Sequence, residues 1–367
     1  MRVLIACDSF KDALSAEGVC QAIARGIAKA HPGAQTVEMP LSDGGEGVLD
    51  ILRRALSLKP VSLTVEDPLG RPVTASYGLS ADGGTALVEM AEASGLQRLT
   101  LEERNPLLTS TFGTGQLLAD AKARGATRAL LAIGGSATND AGIGMAAALG
   151  WRFLDSAGAA VKPVGGSLHR IAKIVPPAAL PFAQVDVLCD VTNPLCGPNG
   201  ASYVYGPQKG GTPDMLAQLD AGTHHLAALA AAQLGRPGLA DMPGSGAAGG
   251  LGFGALAFLN ANLKRGIEMV LDLVGFDAEV KRADLVITGE GHIDSQSLSG
   301  KLIQGVCARA HGVPVVALCG RLSAGPDDIA KVGLKAAWSI NDVQRPLAEM
   351  LAATADNLER KAANLPV

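Results

Sequence analysis

Residues 284–301 read DLVITGEGHIDSQSLSGK, and their order suggests phosphate chemistry. The apolar run Leu285-Val286-Ile287 reads as a buried parallel strand that stops at Thr288 and a Gly-Glu-Gly turn. Asp294, Ser295, Gln296 and Ser297 follow, and a helical pattern begins near Gly300. In open parallel sheets ligands settle at the carboxyl ends of the strands. Glycines there let the backbone approach a phosphate, while carboxylates hold a cation or take a proton.

Other loops share this layout. Asp8, Ser9 and Lys11 follow the first apolar run, where a lysine suits a phosphate or a carboxylate, or where the segment is a solvated turn leading to Ser15. Asp43-Gly44-Gly45-Glu46-Gly47 precede a helical pattern whose first N–H groups attract anions, although Glu46 could simply favour the helix dipole. In IGGSATNDAGIG (133–144) a strand ends at Gly134-Gly135, and Ser136, Thr138, Asn139 and Asp140 precede a helix start. Such a turn offers backbone donors and hydroxyls to phosphoryl oxygens, and Asp140 either ligates magnesium or caps the helix. In CDVTNPLCGPNGA (189–201) Asp190 leaves a strand, a place for a general base, a metal ligand or a turn-stabilising carboxylate.

Two motifs are weaker. GPQKGG (206–211) sets Lys209 between glycines, as a mobile lid contact or a surface hairpin. Gly244, Gly246 and Gly249 satisfy G-x-G-x-x-G, but no strand precedes them, so close packing competes with dinucleotide binding. The sequence has no G-x-x-x-x-G-K-[ST], no H-R-D and no D-F-G, which excludes the common kinase classes. None of the six histidines has zincin spacing; His292, inside the Glu290–Asp294 loop, is the one placed to act.

These loops need strands and helices to position them. Val3-Leu4-Ile5 reads as a strand, 16–30 as a helix capped by Ser15, and Thr36 to Met39 as a second strand before a helix carrying Leu52 and Leu56. Val61, Leu63 and Val65 alternate, and runs at 73–79 and 85–90 follow at short spacing, which predicts an antiparallel meander. Helices are expected at 115–124, 141–149, 213–233, 250–264 and 266–281, with strands at 128–133 and 185–189. From 284 a strict alternation returns: strands at 284–288, 313–318 and 334–339, helices at 300–311, 326–332 and 346–363. Three strands make a small doubly wound sheet, and the two N-terminal strands bring it to five. The expected fold is therefore α/β in two domains. One, a parallel-sheet domain built from both termini, covers 1–65 and 282–367; the other, an inserted α+β domain, covers 66–281.

Composition narrows the partners. The 367 residues are 48% hydrophobic and 18% charged, which excludes disorder and suggests a large buried sheet. Aromatics are 3% and the net charge is −4 with no basic run, so stacking platforms and an electrostatic footprint for nucleic acid are lacking. Six cysteines without a C-x-x-C pair read as buried, reduced thiols. The first strand is too short for a signal peptide, and the glycine-containing run 251–263 is short for a membrane span, so a cytoplasmic protein with small-molecule substrates is expected.

The sequence resembles the bacterial glycerate kinase family, type I, through DSFKDALS (8–15), LSDGGEGV (41–48), DPLGRPV (67–73), GGSATNDAGIGM (134–145), CDVTNPLCGPNGAS (189–202), GPQKGG (206–211), GSGAAGGLG (244–252) and TGEGHIDSQSLSGK (288–301), in family order. The resemblance implies a flavodoxin-like domain, an inserted domain, an active site in the cleft between them, and transfer of the ATP γ-phosphoryl group to D-glycerate with Mg2+, giving 2-phosphoglycerate. It departs at Cys7, at Asp12-Ala13, where the family favours a small or glycine-containing pair, and at His292, where arginine is usual.

With that reaction, loop position and residue chemistry nominate Asp190 as base, with Asp294 as its runner-up. Glu290, Asp294 and Asp140 are candidates for magnesium. Gly134, Gly135, Ser136, Asn139, Gly289 and Gly291 would receive the nucleotide. Ser9, Lys11, Asp43 and Arg71 would bind glycerate, and Lys301 would neutralise the transferring group. A monomer or homodimer is expected. The rival readings are a kinase of another small hydroxy acid, formation of 3-phosphoglycerate, an NAD-dependent dehydrogenase using the 244–249 glycines, and a non-catalytic ligand sensor.

Overall fold

A computed structural model describes residues 1–42, 48–294, 302–343 and 345–365. Asp43 and Lys301 lie outside the described residues. The chain forms two compact units, residues 1–55 with 266–367, and residues 56–265.

The first unit opens with β1 (Arg2–Cys7), α1 (Ala16–Ala30), β2 (Gln35–Glu38) and α2 (Val48–Ala55). Ser15 caps α1 by accepting the Gly18 N–H at 3.2 Å, and Val19, Ile23 and Ile27 recur on its buried face.

The second unit contains β3 (Lys59–Glu66), β4 (Pro72–Leu79), β5 (Thr85–Glu89), α3 (Met90–Ser94), α4 (Phe112–Ala123), β6 (Arg128–Ala132) and α5 (Ile143–Ala148). It continues through β7 (Arg152–Leu154), β8 (Lys173–Val175), β9 (Gln184–Leu188), α6 (Ala201–Tyr205), α7 (Pro213–Leu234), α8 (Ala247–Leu259) and β10 (Asn262–Lys264). Its main sheet has the order β10-β9-β6-β5-β4-β3. The meander β3-β4-β5 is antiparallel, whereas β5, β6, β9 and β10 run parallel. β6 and β9 are therefore adjacent parallel strands, and the loops that leave their carboxyl ends emerge at the same edge.

The chain then returns to the first unit with α9 (Gly266–Leu273), α10 (Phe276–Val280), β11 (Leu285–Ile293), α11 (Leu302–Arg309), β12 (Val315–Leu322), α12 (Pro326–Val332), β13 (Ala336–Ser339), α13 (Leu347–Ala352) and α14 (Thr354–Ala363). The sheet is parallel throughout, in the order β13-β12-β11-β1-β2. Counted within the unit this is 2-1-3-4-5, the flavodoxin-like order, with its switch point between β1 and β11. α1 and α14 pack so closely that a Cβ on Gly26 would overlap the Glu359 carbonyl.

Four expectations are corrected. The unit junctions fall earlier than 65 and 281, because β3 pairs along its length with β4 and because α9 packs on α2 and α11. The expected helix at 250–264 ends at Leu259, and Asn262–Lys264 pair with β9 instead. The helix at 346–363 breaks at Ala353. The Gly-Glu-Gly segment after Thr288 is strand rather than turn: β12 runs beside it and pairs Gly289 with Leu318, Glu290 with Cys319 and His292 with Arg321. Glycine is needed at 289 because a Cβ there would overlap the Leu318 carbonyl oxygen. Among the described residues no helix is long and apolar enough to cross a membrane.

Candidate functional site

In the first unit, a hollow of about 670 Å³ opens at the carboxyl end of the sheet, at the switch point. Ser9, Lys11, Glu290 and Gly291 all line it, together with Asp8, Arg321 and Asn341. Backbone hydrogen bonds fix the approach. The Asp8 N–H donates to the Gly289 carbonyl at 2.9 Å, and Phe10 and Leu14 exchange N–H···O bonds that fold 10–14 into a tight turn. Lys11 and Asp12 form its exposed tip. Asp12 has a φ of 62°, a region open to Asp and Asn but easiest for glycine, which accounts for the small or glycine-containing pair expected there. Lys11 also borders a second hollow of about 480 Å³, with Ser42 and Arg54. His292 places Nε2 2.9 Å from the Ser323 hydroxyl and Nδ1 4.0 Å from Asp294. Gly289 is corrected: it permits close strand pairing and does not form a phosphate turn.

In the second unit, the loop after β6 is exposed only at Gly134 and Gly135, while Ser136 to Asp140 are buried. Gly135 needs its left-handed φ of 75°, and a Cβ on Gly134 would meet open space. The buried part is anchored from several sides. Gly135 and Ala137 carbonyls accept the Leu96 N–H and the Thr109 hydroxyl, and the Ala137 N–H donates to Ser94. The Asn139 amide donates to the Ser202 hydroxyl at 3.1 Å. Asn139 is thus turned inward rather than presented to a nucleotide.

Asp140 is not placed to ligate magnesium. One of its oxygens accepts the Thr111 N–H (2.7 Å), the Thr111 hydroxyl (2.8 Å) and the Gly144 N–H (3.2 Å), and the other accepts the Gly142 N–H (3.1 Å). Three donors crowd one oxygen and a fourth holds the other in a fully buried position, so the carboxylate is engaged by the protein itself. Burial pushes its pKa upward, against the pull of those hydrogen bonds. Arg71 is likewise committed: its guanidinium donates to Asp67 at 2.6 Å and to Glu103 at 2.5 Å, and it latches the 67–71 turn rather than awaiting a substrate carboxylate.

Lys209 differs most from expectation. It is neither a lid residue nor part of a surface hairpin: it is 1% exposed, and its Nζ donates to the Ser136 hydroxyl at 2.7 Å and the Thr138 carbonyl at 2.6 Å. Burial pulls its pKa down to about 7, and the charge of Asp140 opposes that. Sequence reading also passed over Thr109 to Thr111, three buried hydroxyl residues just before α4. A Thr-Ser-Thr run at a helix start was the available signal.

The 244–249 glycines belong to packing. A Cβ on Gly246 would overlap the Pro194 carbonyl oxygen, and one on Gly249 that of Thr138. The Gly246 N–H donates to Asn193 and the Ala141 N–H to Gly249, so this segment joins the loops after β9 and β6. That geometry excludes the dinucleotide reading. Asp190 is exposed where the chain leaves β9, beside that joint. For magnesium, the hollow of the first unit supplies hard oxygen donors in Asp8, Glu290 and Asn341, a set that suits the ion.

The profile of the glycerate kinase family matches residues 3–366. A protein of Bacillus subtilis (strain 168) named glycerate kinase is 45% identical over 370 residues, covering 100% of this chain and 97% of that one. A protein of Escherichia coli (strain K12) named glycerate 2-kinase is 42% identical over 373 residues, with the same coverage. A crystal structure from Salmonella typhimurium LT2, described as a candidate glycerate kinase 2, superposes with a TM-score of 0.83 at 41% identity, covering 99% of this chain and 96% of that one. By profile, by full-length identity and by fold, this chain belongs to the glycerate kinase family.

Proposed function

We infer that the protein is a glycerate kinase that moves the γ-phosphoryl group of ATP to the 2-hydroxyl of D-glycerate. The family and the relative named glycerate 2-kinase supply the reaction. One observation carries the residue assignments: the strand ends present acidic and glycine groups in both units, with Lys11 beside them in the first, where α/β sheets bind ligands.

Lys11 and Ser9 bind the glycerate carboxylate from the turn after β1. Gly134 and Gly135 receive nucleotide phosphate on backbone N–H groups. Gly291 lets the chain pass close to the ligand at the mouth of the first hollow. Asp190 accepts the proton of the 2-hydroxyl as its oxygen bonds to the γ-phosphorus and the bond to the ADP oxygen breaks. Glu290, with Asp8 and Asn341 lining the same hollow and Asp294 following β11, would hold magnesium, which would supply charge neutralisation on the phosphates. Asp43 and Lys301, outside the described residues, retain their proposed contacts to a glycerate hydroxyl and to the transferring group. The six cysteines form no disulfide, which fits work in the reducing cytosol.

Phosphorus NMR of the product from ATP and D-glycerate tests the reading. A phosphate on C2 has one vicinal carbon-bound proton and gives a doublet; on C3 it has two and gives a triplet. A triplet moves the reaction to the 3-hydroxyl, and no new ester signal refutes the activity.

A further inference from the structure

We infer that Lys209 is the positioning residue of the Gly134–Asp140 loop: its amino group holds this turn in the shape that receives nucleotide phosphate. The inference rests on the nucleotide reading of that loop given above.

Lys209 is among the largest fully buried side chains of the described residues. Its turn, Pro207–Lys209, is pinned at both ends. Gly210 is left-handed at a φ of 83°, and a Cβ there would overlap the Arg104 carbonyl oxygen; a Cβ on Gly206 would overlap that of Ser202. A turn so packed cannot swing as a lid. From this fixed base, Nζ reaches Ser136 and Thr138, which flank Ala137. An apolar side chain of similar length would fill the space without the cost of burying an amine. What the amine adds is direction. Peptides are planar and trans, so a carbonyl and the N–H of the next residue point opposite ways. Drawing the Thr138 carbonyl toward Lys209 turns the Asn139 N–H away from it, and drawing the Gly135 carbonyl toward Leu96 does the same for the Ser136 N–H. With the Gly135 and Thr138 carbonyls fixed in this way, the exposed backbone at Gly134 and Gly135 is held in one shape, as an anion nest requires. Thr138 Oγ1 and Asn139 Oδ1 are buried without a hydrogen-bond partner, so backbone contacts and Lys209 carry the shape of this stretch rather than these side-chain oxygens.

The test compares Lys209→Met with Gly134→Val, whose added side chain enters open space and obstructs the exposed lip. Binding of a non-hydrolysable ATP analogue is measured by calorimetry, well below the melting temperature. Lys209→Met is expected to weaken binding about tenfold or more, with KM for D-glycerate changed less than about twofold. A folded Lys209→Met with wild-type analogue affinity, while Gly134→Val binds poorly, overturns the role of Lys209 and leaves the loop assignment standing. If neither variant loses affinity, the loop is not the nucleotide site and both readings fall. Should Lys209→Met not fold, Ser136→Ala removes one of its two acceptors; weaker binding supports the inference and unchanged binding refutes it.

Discussion

Thr111 donates twice to the same oxygen of Asp140, through its backbone N–H at 2.7 Å and its hydroxyl at 2.8 Å. The hydroxyl also accepts the Met145 N–H at 2.8 Å, so the pair ties the start of α4 to the start of α5. Those helices then pack closely enough that a Cβ on Gly115 would overlap the Met145 carbonyl. A buried carboxylate used in this way belongs to the scaffold.

Asp140→Ala should therefore lower stability by about 3 kcal/mol or more, since it strands several buried donors. The denaturant midpoint reads this directly. Asp140→Asn should keep the magnesium concentration for half-maximal rate within about twofold of wild type. A large shift in magnesium dependence without loss of stability would return Asp140 to the metal.

Much of this was legible before the structure because period and punctuation are local. The Ser15 cap and the spacing of Val19, Ile23 and Ile27 mark α1 to the residue. Pro326 and Gly333 bracket α12. The split of the first unit between the termini followed from counting strands. What failed depends on partners distant in sequence. The glycines at 289 and 291 look like a turn until β12 is seen beside them. Lys209 looks mobile between its glycines until Arg104 and Ser202 are seen filling the space at those glycines. Asp140 and Arg71 have suitable chemistry, but Thr111, Asp67 and Glu103 already occupy them. A motif names the groups present, and only packing shows which of them remain available.

Asp190 can be tested by isosteric change. Asp190→Asn keeps the size of the side chain at an exposed position and removes its basicity. We expect kcat to fall about 10²–10⁴-fold with KM for both substrates little changed. Near-normal turnover would remove Asp190 from the base role and direct attention to Asp294.

Lys11 stands at the tip of a hydrogen-bonded turn, so its loss should leave the fold intact. Lys11→Ala should raise KM for D-glycerate by about tenfold or more, as expected for a lost charged hydrogen bond, with little effect on KM for ATP. An effect confined to ATP would reassign the turn after β1 to the nucleotide.

The buried amine also predicts a pH dependence of stability. Lys209 titrates near 10.5 in an unfolded chain and near 7 in the fold, because burial disfavours its charge. Between those values the unfolded chain holds a proton that the folded chain has released. Stability then rises with pH across that window, and on this account is flat below it. Asp140, whose carboxyl burial pushes upward, slopes the opposite way from the ordinary carboxylate range up to its raised value. Comparing urea midpoints of wild type and Lys209→Met from about pH 7 to about pH 10 isolates the lysine. The wild type should gain relative to the variant as pH rises. Parallel curves would mean that Lys209 keeps its proton when buried, so that local acceptors offset the whole cost of desolvation.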